Sequence, residues 1–535
     1  MEFNLADLFE AVVDCAGTQT AMVSGSRRLT YDELDQRANR AAHHLEASGV
    51  GHGDRIGLQL VNGTEYIEVM LACFKIRAIP VNINYRYLSG ELRYLYQDAG
   101  LVGLIHHRRF APRVAEAIEA MPEKKVVLEV EDDSGPPGSA QEYEAALAAS
   151  PAGRGFKGRK ADDLYCVYTG GTTGMPKGVL WRQEDIFFAA MGGGDPFSLG
   201  NHISAPEELK DRVLHPGLTS LAIPPFMHAA GHWLAFSMFF GGGKVVTLAG
   251  GVFDPAEVWR LVDAESINAL VVVGDAMARP LLDELAHDPD RYELSSLVAV
   301  GSGGAVLSPS TKVQLAELLP GRLVADQFGS SETGQIGSET RPDDPYGPPR
   351  LRVDPLTDVL DDDFEPVTPG SGAVGRLARG GHVPVGYLGD PEKSAATFVE
   401  HNGRRWSLPG DLATVAADGS ITVLGRDSQS INTGGEKVFP EEVEGVLKGH
   451  PDVADAVVVG LPDDRFGERV VAVVQARAGR EIDPDAVRQH ARQQLSGYKV
   501  PKDVVVAAEI VRSPAGKPDY PWAKAAAADA LAGNP

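Results

Sequence analysis

The sequence predicts an α/β fold: a large N-terminal domain of layered, mostly parallel sheets and helices over residues 1–425, then a small α+β domain over 426–535. Three observations predict it. Helical and strand periods alternate through the first 150 residues, later strand candidates each run into a glycine-rich or polar loop, and the texture becomes more compact after Gly425-Arg426. At the N-terminal end, Leu34, Ala38, Ala41 and Leu45 recur at helical spacing, Ile56, Leu58 and Leu60 alternate as a strand does, and Glu65–Lys75 returns to helix. Ile79–Ile83 and Val102–Ile105 add short β-like runs at the interval of βα units. Ser134–Ser139 and Pro151–Gly158 are turn-rich connectors. From Ser220 onward, Ala269–Val273, Leu297–Val300 and Leu323–Ala325 are candidates for buried strands. The second unit is expected to hold a helix near Pro440–His450, strands at Ala456–Gly460 and Val470–Gln475, a helix at Pro484–Leu495 and a strand at Val504–Ala508.

Composition narrows the class of function. The 535 residues are 43% hydrophobic and 23% charged, as in ordinary globular enzymes. Lys and Arg number 50 against 74 Asp and Glu, giving a formal charge of −24 that argues against nucleic acid as partner and against anionic lipid. Cys15, Cys73 and Cys166 lack metal or disulfide spacing, and Cys166 reads as a core residue. The start, Met1–Asp7, is acidic and no apolar run approaches a membrane span, so a cytoplasmic protein without stable membrane insertion is expected. Asp361-Asp362-Asp363 reads as a solvated turn, and His43-His44 and His106-His107 as surface pairs.

Chemistry enters with Thr169-Gly170-Gly171-Thr172-Thr173-Gly174-Met175-Pro176-Lys177-Gly178, directly after the strand-like Leu164–Tyr168. Glycines let backbone N–H groups converge on an anion, threonine hydroxyls add donors, and a lysine adds charge, so the combination suits polyphosphate. It is not a Walker A loop, because Pro176 and Gly178 flank the lysine where Gly and Ser or Thr are required. Gly301-Ser302-Gly303-Gly304-Ala305-Val306 likewise fails the dinucleotide pattern at Val306. This loop and Gln327-Phe328-Gly329-Ser330-Ser331-Glu332 follow strands, and are expected to face one crevice beyond the strands' carboxyl ends.

The Thr169–Gly178 string resembles the signature loop of the adenylate-forming superfamily, which includes acyl-CoA synthetases, luciferases and peptide-synthetase adenylation domains. Further stretches agree, in order, over almost the whole chain. Pro225–Gly231 is similar to the family's P-x-x-H-x-x-G segment, whose histidine, here His228, lines the carboxylate pocket; Gly303-Gly304-Ala305 resembles the adenine loop. Phe328-Gly329-Ser330-Ser331-Glu332 is similar to Y-G-x-T-E, which implies adenine stacking by Phe328, phosphate or carboxylate contact by Ser331, and Mg²⁺ on Glu332. Trp406–Asp411 resembles W-x-x-T-G-D, with Pro409 in place of threonine and Asp411 as the ribose ligand. Gly425–Pro440 is similar to the hinge segment: Arg426 is implied as ribose and phosphate partner, Ser428 as the hinge, and Gly434 and Gly435 in the face offered to a thiol. Ser513–Lys517 resembles P-x-x-G-K, which makes Lys517 the catalytic lysine. Ile431–Pro440, Ser513–Lys517 and Asp519-Tyr520 look most like actinobacterial acyl-CoA synthetases for fatty or steroid side-chain acids.

The resemblance implies an AMP-forming ligase using ATP, Mg²⁺ and coenzyme A on a small-molecule acid, with a mobile C-terminal lid, and it allows a homodimer. Alternatives remain at this point: capture of the adenylate by an amine, activation of nitrite for diazotisation, or a retired nucleotide-binding protein. Gly192–Pro216 and the apolar run Trp233–Phe240 are expected to shape the acid pocket.

Overall fold

A computed structural model describes residues 1–535 except 171–174, 196–199, 306, 340–349, 427–428, 434–435, 464, 513–516 and 533–535. Two large sheets make the N-terminal part. The first has nine strands and is parallel from Thr20–Ser24 through Lys244–Thr247, Thr219–Ala222, Ala269–Val272 and Ala299–Gly303 to Leu323–Ser330. The second has eight, with Val126–Val130, Gly103–His107, Arg55–Gln59, Ile79–Asn82 and Leu164–Thr169 parallel and Lys177–Arg182 running back antiparallel. Between them lies a core of helices Leu5–Ala16, Tyr31–Ala47, Thr64–Lys75 and Ala229–Phe240, including Phe9, Tyr31, Phe74, Phe236 and Phe239. The expected α/β layering is present.

Two features hold these helices beyond apolar burial. Thr30 and Glu33 form a capping box at the start of Tyr31–Ala47, satisfying N–H groups that a helix start leaves open. Beneath it, the fully buried Lys75 ammonium binds Glu10 at 2.5 Å and Asp35 at 2.7 Å, while Arg159 and Arg154 reach the same two carboxylates at 2.8 Å. A buried charge persists only when paired in this way. The Glu10 carboxyl is held down to about 2: burial opposes ionisation, and the Arg159 and Lys75 contacts outweigh it.

Sequence reasoning left out a third sheet. Six antiparallel strands, from Thr357–Leu360 to Ile421–Arg426, pack around Val359, Leu377, Ala413 and Ile421. The last part of the chain is a five-stranded sheet whose long hairpin, Val453–Asp463 with Gly467–Ala476, is covered on one face by helices Pro440–Lys448 and Pro484–Gln494 and on the other by Tyr520–Ala532.

Some expectations need correction. His106 and His107 are not surface residues but end the Gly103–His107 strand at 2% and 6% exposure, and burial pushes His107 down to about 4. His43 and His44 are half-buried, with the His43 ring tilted against Phe156. Leu323 begins its strand 52% exposed, and no residue of Leu323–Ser330 is fully buried, so the expected buried strand is a partly exposed one. Cys166 is buried and Asp361-Asp362-Asp363 is an exposed turn, both as expected.

Candidate functional site

The strand Leu164–Thr169 and the strand Lys177–Arg182 form a hairpin in which Thr169 faces Lys177, so the lysine belongs to a strand and not to the loop. Gly171, Thr172, Thr173 and Gly174 lie outside the described residues. Thr169 is half-buried and Gly170 exposed at the rim. Lys177 is in an ion pair with Asp390, a side chain that also caps the Pro391–Thr397 helix through the N–H of Lys393 at 3.0 Å. That pair must open for the ammonium to meet a phosphate.

The parallel strands Ala299–Gly303 and Leu323–Ser330 lie side by side, with Gly303 opposite Gln327, so Gly301–Gly303 and Gln327–Ser330, expected in loops, belong to the strands, and only their ends open on the same sheet edge. Buried Ser302 fixes the first loop, accepting from the N–H of Gly274 and donating to Ala305. Gly304, directly after the Gly303–Gln327 pair, is exposed and sits at φ +84°, a conformation open to glycine. Gly329 is required sterically: a Cβ there would lie 2.2 Å from the carbonyl of Gly334, which the hairpin into Gly334–Glu339 brings close.

Three elements grip the turn at Ser331-Glu332. Trp181 donates its indole N–H to the Ser331 carbonyl at 2.9 Å, and Ser407 donates to the Glu332 carbonyl at 2.6 Å. Tyr387 donates its hydroxyl to Glu332 Oε1 at 3.0 Å, which orients the carboxylate and leaves Oε2 for another partner. Asp411 and Arg426 face each other across antiparallel strands, 3.7 Å apart. Burial raises the Asp411 carboxyl, with Arg426 opposing and Glu332 adding to the rise. Lys517 completes the group. Burial and then the Arg426 guanidinium hold its ammonium below the usual range, while Glu332 and Asp411 pull it up, so the four charges lie within electrostatic reach of one another.

His228 caps the start of the Ala229–Phe240 helix, its N–H donating to the Pro225 carbonyl at 2.9 Å. Only glycine fits at Gly231, since a Cβ would lie 2.7 Å from the carbonyls of Pro224 and Pro225. Two buried asparagines, missed in the sequence, clamp this segment. Asn62 donates to the carbonyls of Ala222 and Pro224 and accepts from the N–H of Phe226. Asn82 donates to Tyr168 and Met227 and accepts from the N–H of Tyr168, joining the residue before Thr169 to the residue before His228. Next to His228, the buried His232 ring meets the Phe226 carbonyl through Nδ1 and the Tyr165 hydroxyl through Nε2; burial drives it down to about 4, so it is neutral.

The run Trp233–Phe240 contributes less to a pocket than expected. Its Phe236, Phe239 and Phe240 are fully buried against Phe74, Phe9 and Phe187, leaving Leu234, Ser237 and Met238 half-exposed. Residues 196–199 of the other pocket stretch, Ser428, Gly434 and Gly435 lie outside the described residues, as do residues 513–516 before Lys517. Tyr387, Ser407, Asn62, Asn82 and His232 are the site residues that motif reading missed.

Among the described residues no cluster of three His, Cys, Asp or Glu side chains could hold a metal by itself. A single oriented carboxylate, Glu332, fits Mg²⁺ that takes most of its ligands from groups other than the protein and from water.

A match to the description "AMP-binding enzyme" spans residues 9–388, and one to "AMP-binding enzyme C-terminal domain" spans 442–517. The 3-oxocholest-4-en-26-oate--CoA ligase of Rhodococcus rhodochrous is 48% identical, aligned over 98% of this chain and 96% of its own. A medium/long-chain-fatty-acid--CoA/3-oxocholest-4-en-26-oate--CoA ligase of Mycolicibacterium smegmatis is 46% identical over 98% and 96%. Of solved structures, an anthranilate CoA ligase, AuaEII, bound to anthranoyl-AMP superposes with a TM-score of 0.85 at 22% identity over 99% and 98% of the two chains, a likeness of fold.

Proposed function

We propose, for a chain that belongs to the AMP-binding enzyme family, that it activates a hydrophobic fatty or steroid side-chain acid with Mg-ATP as the acyl-adenylate and passes the acyl group to coenzyme A. The chain is an AMP-forming acid–thiol ligase. The observation that carries the chemistry is the meeting of Glu332, on the turn after the Leu323–Ser330 strand, with Asp411 and Arg426 of the six-stranded sheet and Lys517 of the C-terminal unit.

The substrate carboxylate attacks the α-phosphorus of ATP and pyrophosphate leaves, so the protein's task is positioning and charge neutralisation. Thr169, Gly170 and Lys177, with the loop between them, hold the β- and γ-phosphates once Lys177 leaves Asp390. Phe328 stacks on adenine between Gly303-Gly304-Ala305 and Gly329, while Asp411 and Arg426 take the ribose hydroxyls. His228 lines the carboxylate pocket. Ser331 and Lys517 face the α-phosphate and the attacking carboxylate, with the ammonium offsetting charge in a space where burial strengthens its field. Mg²⁺ on Glu332 would supply further neutralisation of the phosphate oxygens. Rotation of the C-terminal unit about Ser428 then withdraws Lys517 and presents Gly434 and Gly435 to the pantetheine thiol. The thiol sulfur bonds to the acyl carbon, the mixed anhydride breaks, and AMP leaves. We place the reaction in the cytoplasm, where ATP and CoA are both supplied.

A pyrophosphate-release screen over short, long-chain, aromatic and steroid acids, with the product identified by mass, tests this reading. The expected result is release with hydrophobic acids and an acyl-CoA product. Release followed by an amide or diazo product would replace the acceptor, and ATP binding without release on any acid would overturn the enzyme assignment.

A further inference from the structure

One arginine of the N-terminal part binds the C-terminal unit. Arg279 lies on the helix Gly274–His287. Its Nη1 donates to the carbonyl of Ala454 at 2.9 Å and its Nη2 to the carbonyl of Lys448 at 3.4 Å. Lys448 is the last residue of the helix Pro440–Lys448, whose final carbonyls have no partner within the helix and carry its negative pole, so a guanidinium there is favourably placed. The other donors are spent at home: Nε on Thr311 and Nη2 on Ser308 and Ser310, with Asp275 3.2 Å away as counter-charge. The fork is therefore set in direction before the C-terminal unit arrives. Ser310 adds a contact of its own to the Lys448 carbonyl at 3.5 Å. Arg477, just past Gly467–Ala476, lies within electrostatic reach of Arg279 itself, which repels it, and of Asp283 and Asp275 on the arginine-bearing helix, which offset that repulsion.

The helix held here leads back to the site. Its first turn carries Glu441, packed against Gly425 and within electrostatic reach of Asp411 and Arg426. Gripping the other end of this helix thus fixes where the unit carrying Lys517 stands relative to Glu332 and Asp411. We propose that Arg279 is a positioning residue that latches the C-terminal unit in the orientation competent for adenylation, and that it must let go before thioester formation. The inference rests on the reading that Lys517 serves adenylation and then withdraws.

The test uses full-length Arg279→Met, Arg279→Lys and Ser310→Ala, each assayed for acid-dependent ATP–pyrophosphate exchange, for thioester formation from preformed acyl-adenylate, and for melting temperature. Losing two charge-assisted hydrogen bonds predicts that Arg279→Met lowers exchange about tenfold or more while leaving the thioester half-reaction unchanged or faster. Arg279→Lys keeps part of the exchange, and Ser310→Ala shifts it in the same direction by a smaller factor, which keeps the test sound if Arg279→Met folds badly. Equal loss of both half-reactions with a fall in melting temperature would make Arg279 merely structural, and unchanged exchange would remove the latch. Lys517→Ala separates the two ideas: if it retains exchange, the underlying reading fails; if it loses exchange alone while Arg279→Met does not, only the latch fails.

Discussion

Asn82 offers a sharp test of how the site is held together. Its amide nitrogen donates to the carbonyls of Tyr168 at 2.8 Å and Met227 at 2.6 Å, its oxygen accepts from the N–H of Tyr168 at 2.7 Å, and it is only 6% exposed. Asn82→Ala removes all three bonds. At roughly 1 kcal/mol each, more where a buried backbone group is left unmatched, the loss is about 2–4 kcal/mol. Asn82→Asp is nearly isosteric, yet it turns a carboxylate oxygen toward two carbonyls in a buried site. At neutral pH it should therefore be worse than alanine, and acidification should relieve it by restoring one donor. Urea unfolding midpoints at neutral and acid pH measure the stabilities. Because the bonds join the neighbours of Thr169 and His228, both variants should also raise the KM for ATP and for the acid together. An aspartate variant as stable as wild type at neutral pH, or one more stable than the alanine variant, would refute the clamp.

Lys75→Met leaves Glu10 and Asp35 with only Arg159 and Arg154 as cationic partners and should lower stability by at most about 3–5 kcal/mol in urea unfolding, and an unchanged midpoint would contradict the ionic knot. Tyr387→Phe deletes the donor to Glu332, so the Mg²⁺ concentration for half-maximal adenylation should rise about tenfold; no change would mean that the carboxylate needs no orientation. Burial, Glu444 and Asp411 raise the Glu441 carboxyl from 4.5 to about 8 against the pull of Arg426, with Tyr520 also nearby. An acid raised in this way favours the fold while protonated, a contribution full below 4.5 and lost as pH rises through 8, so wild type should lose more melting temperature over that window than Glu441→Gln. Parallel curves would show that Glu441 stays solvated.

The sequence carried the parts of this protein that depend on local pattern. Alternating periods exposed the parallel sheets and the C-terminal α+β unit, whose expected helix near Pro440–His450 differs from the observed Pro440–Lys448 only at its end. The six-stranded antiparallel sheet was illegible, because strands such as Arg404–Ser407 and Phe398–His401 are short, charged and lack an apolar run. Motifs supplied Glu332, Asp411, Arg426 and Lys517, but no spacing rule shows that Tyr387 meets Glu332 or that Arg279 meets Lys448, contacts made by the tertiary fold between residues 55 and 169 positions apart. Asn82 did leave a signal: an amide inside the apolar run Ile79–Ile83 has to be satisfied by something. His106 and His107 misled for the converse reason, since a polar pair at a strand end looks the same in sequence whether solvent or protein covers it.

The account turns on Lys517 acting in the first half-reaction alone. Acid-dependent ATP–pyrophosphate exchange and thioester formation from preformed acyl-adenylate, measured side by side in Lys517→Ala, test it most directly. Exchange should fall by several orders of magnitude, roughly the scale of a removed charge-stabilising group, while the thioester step proceeds near the wild-type rate. Retained exchange, or equal loss of both steps, would contradict the account.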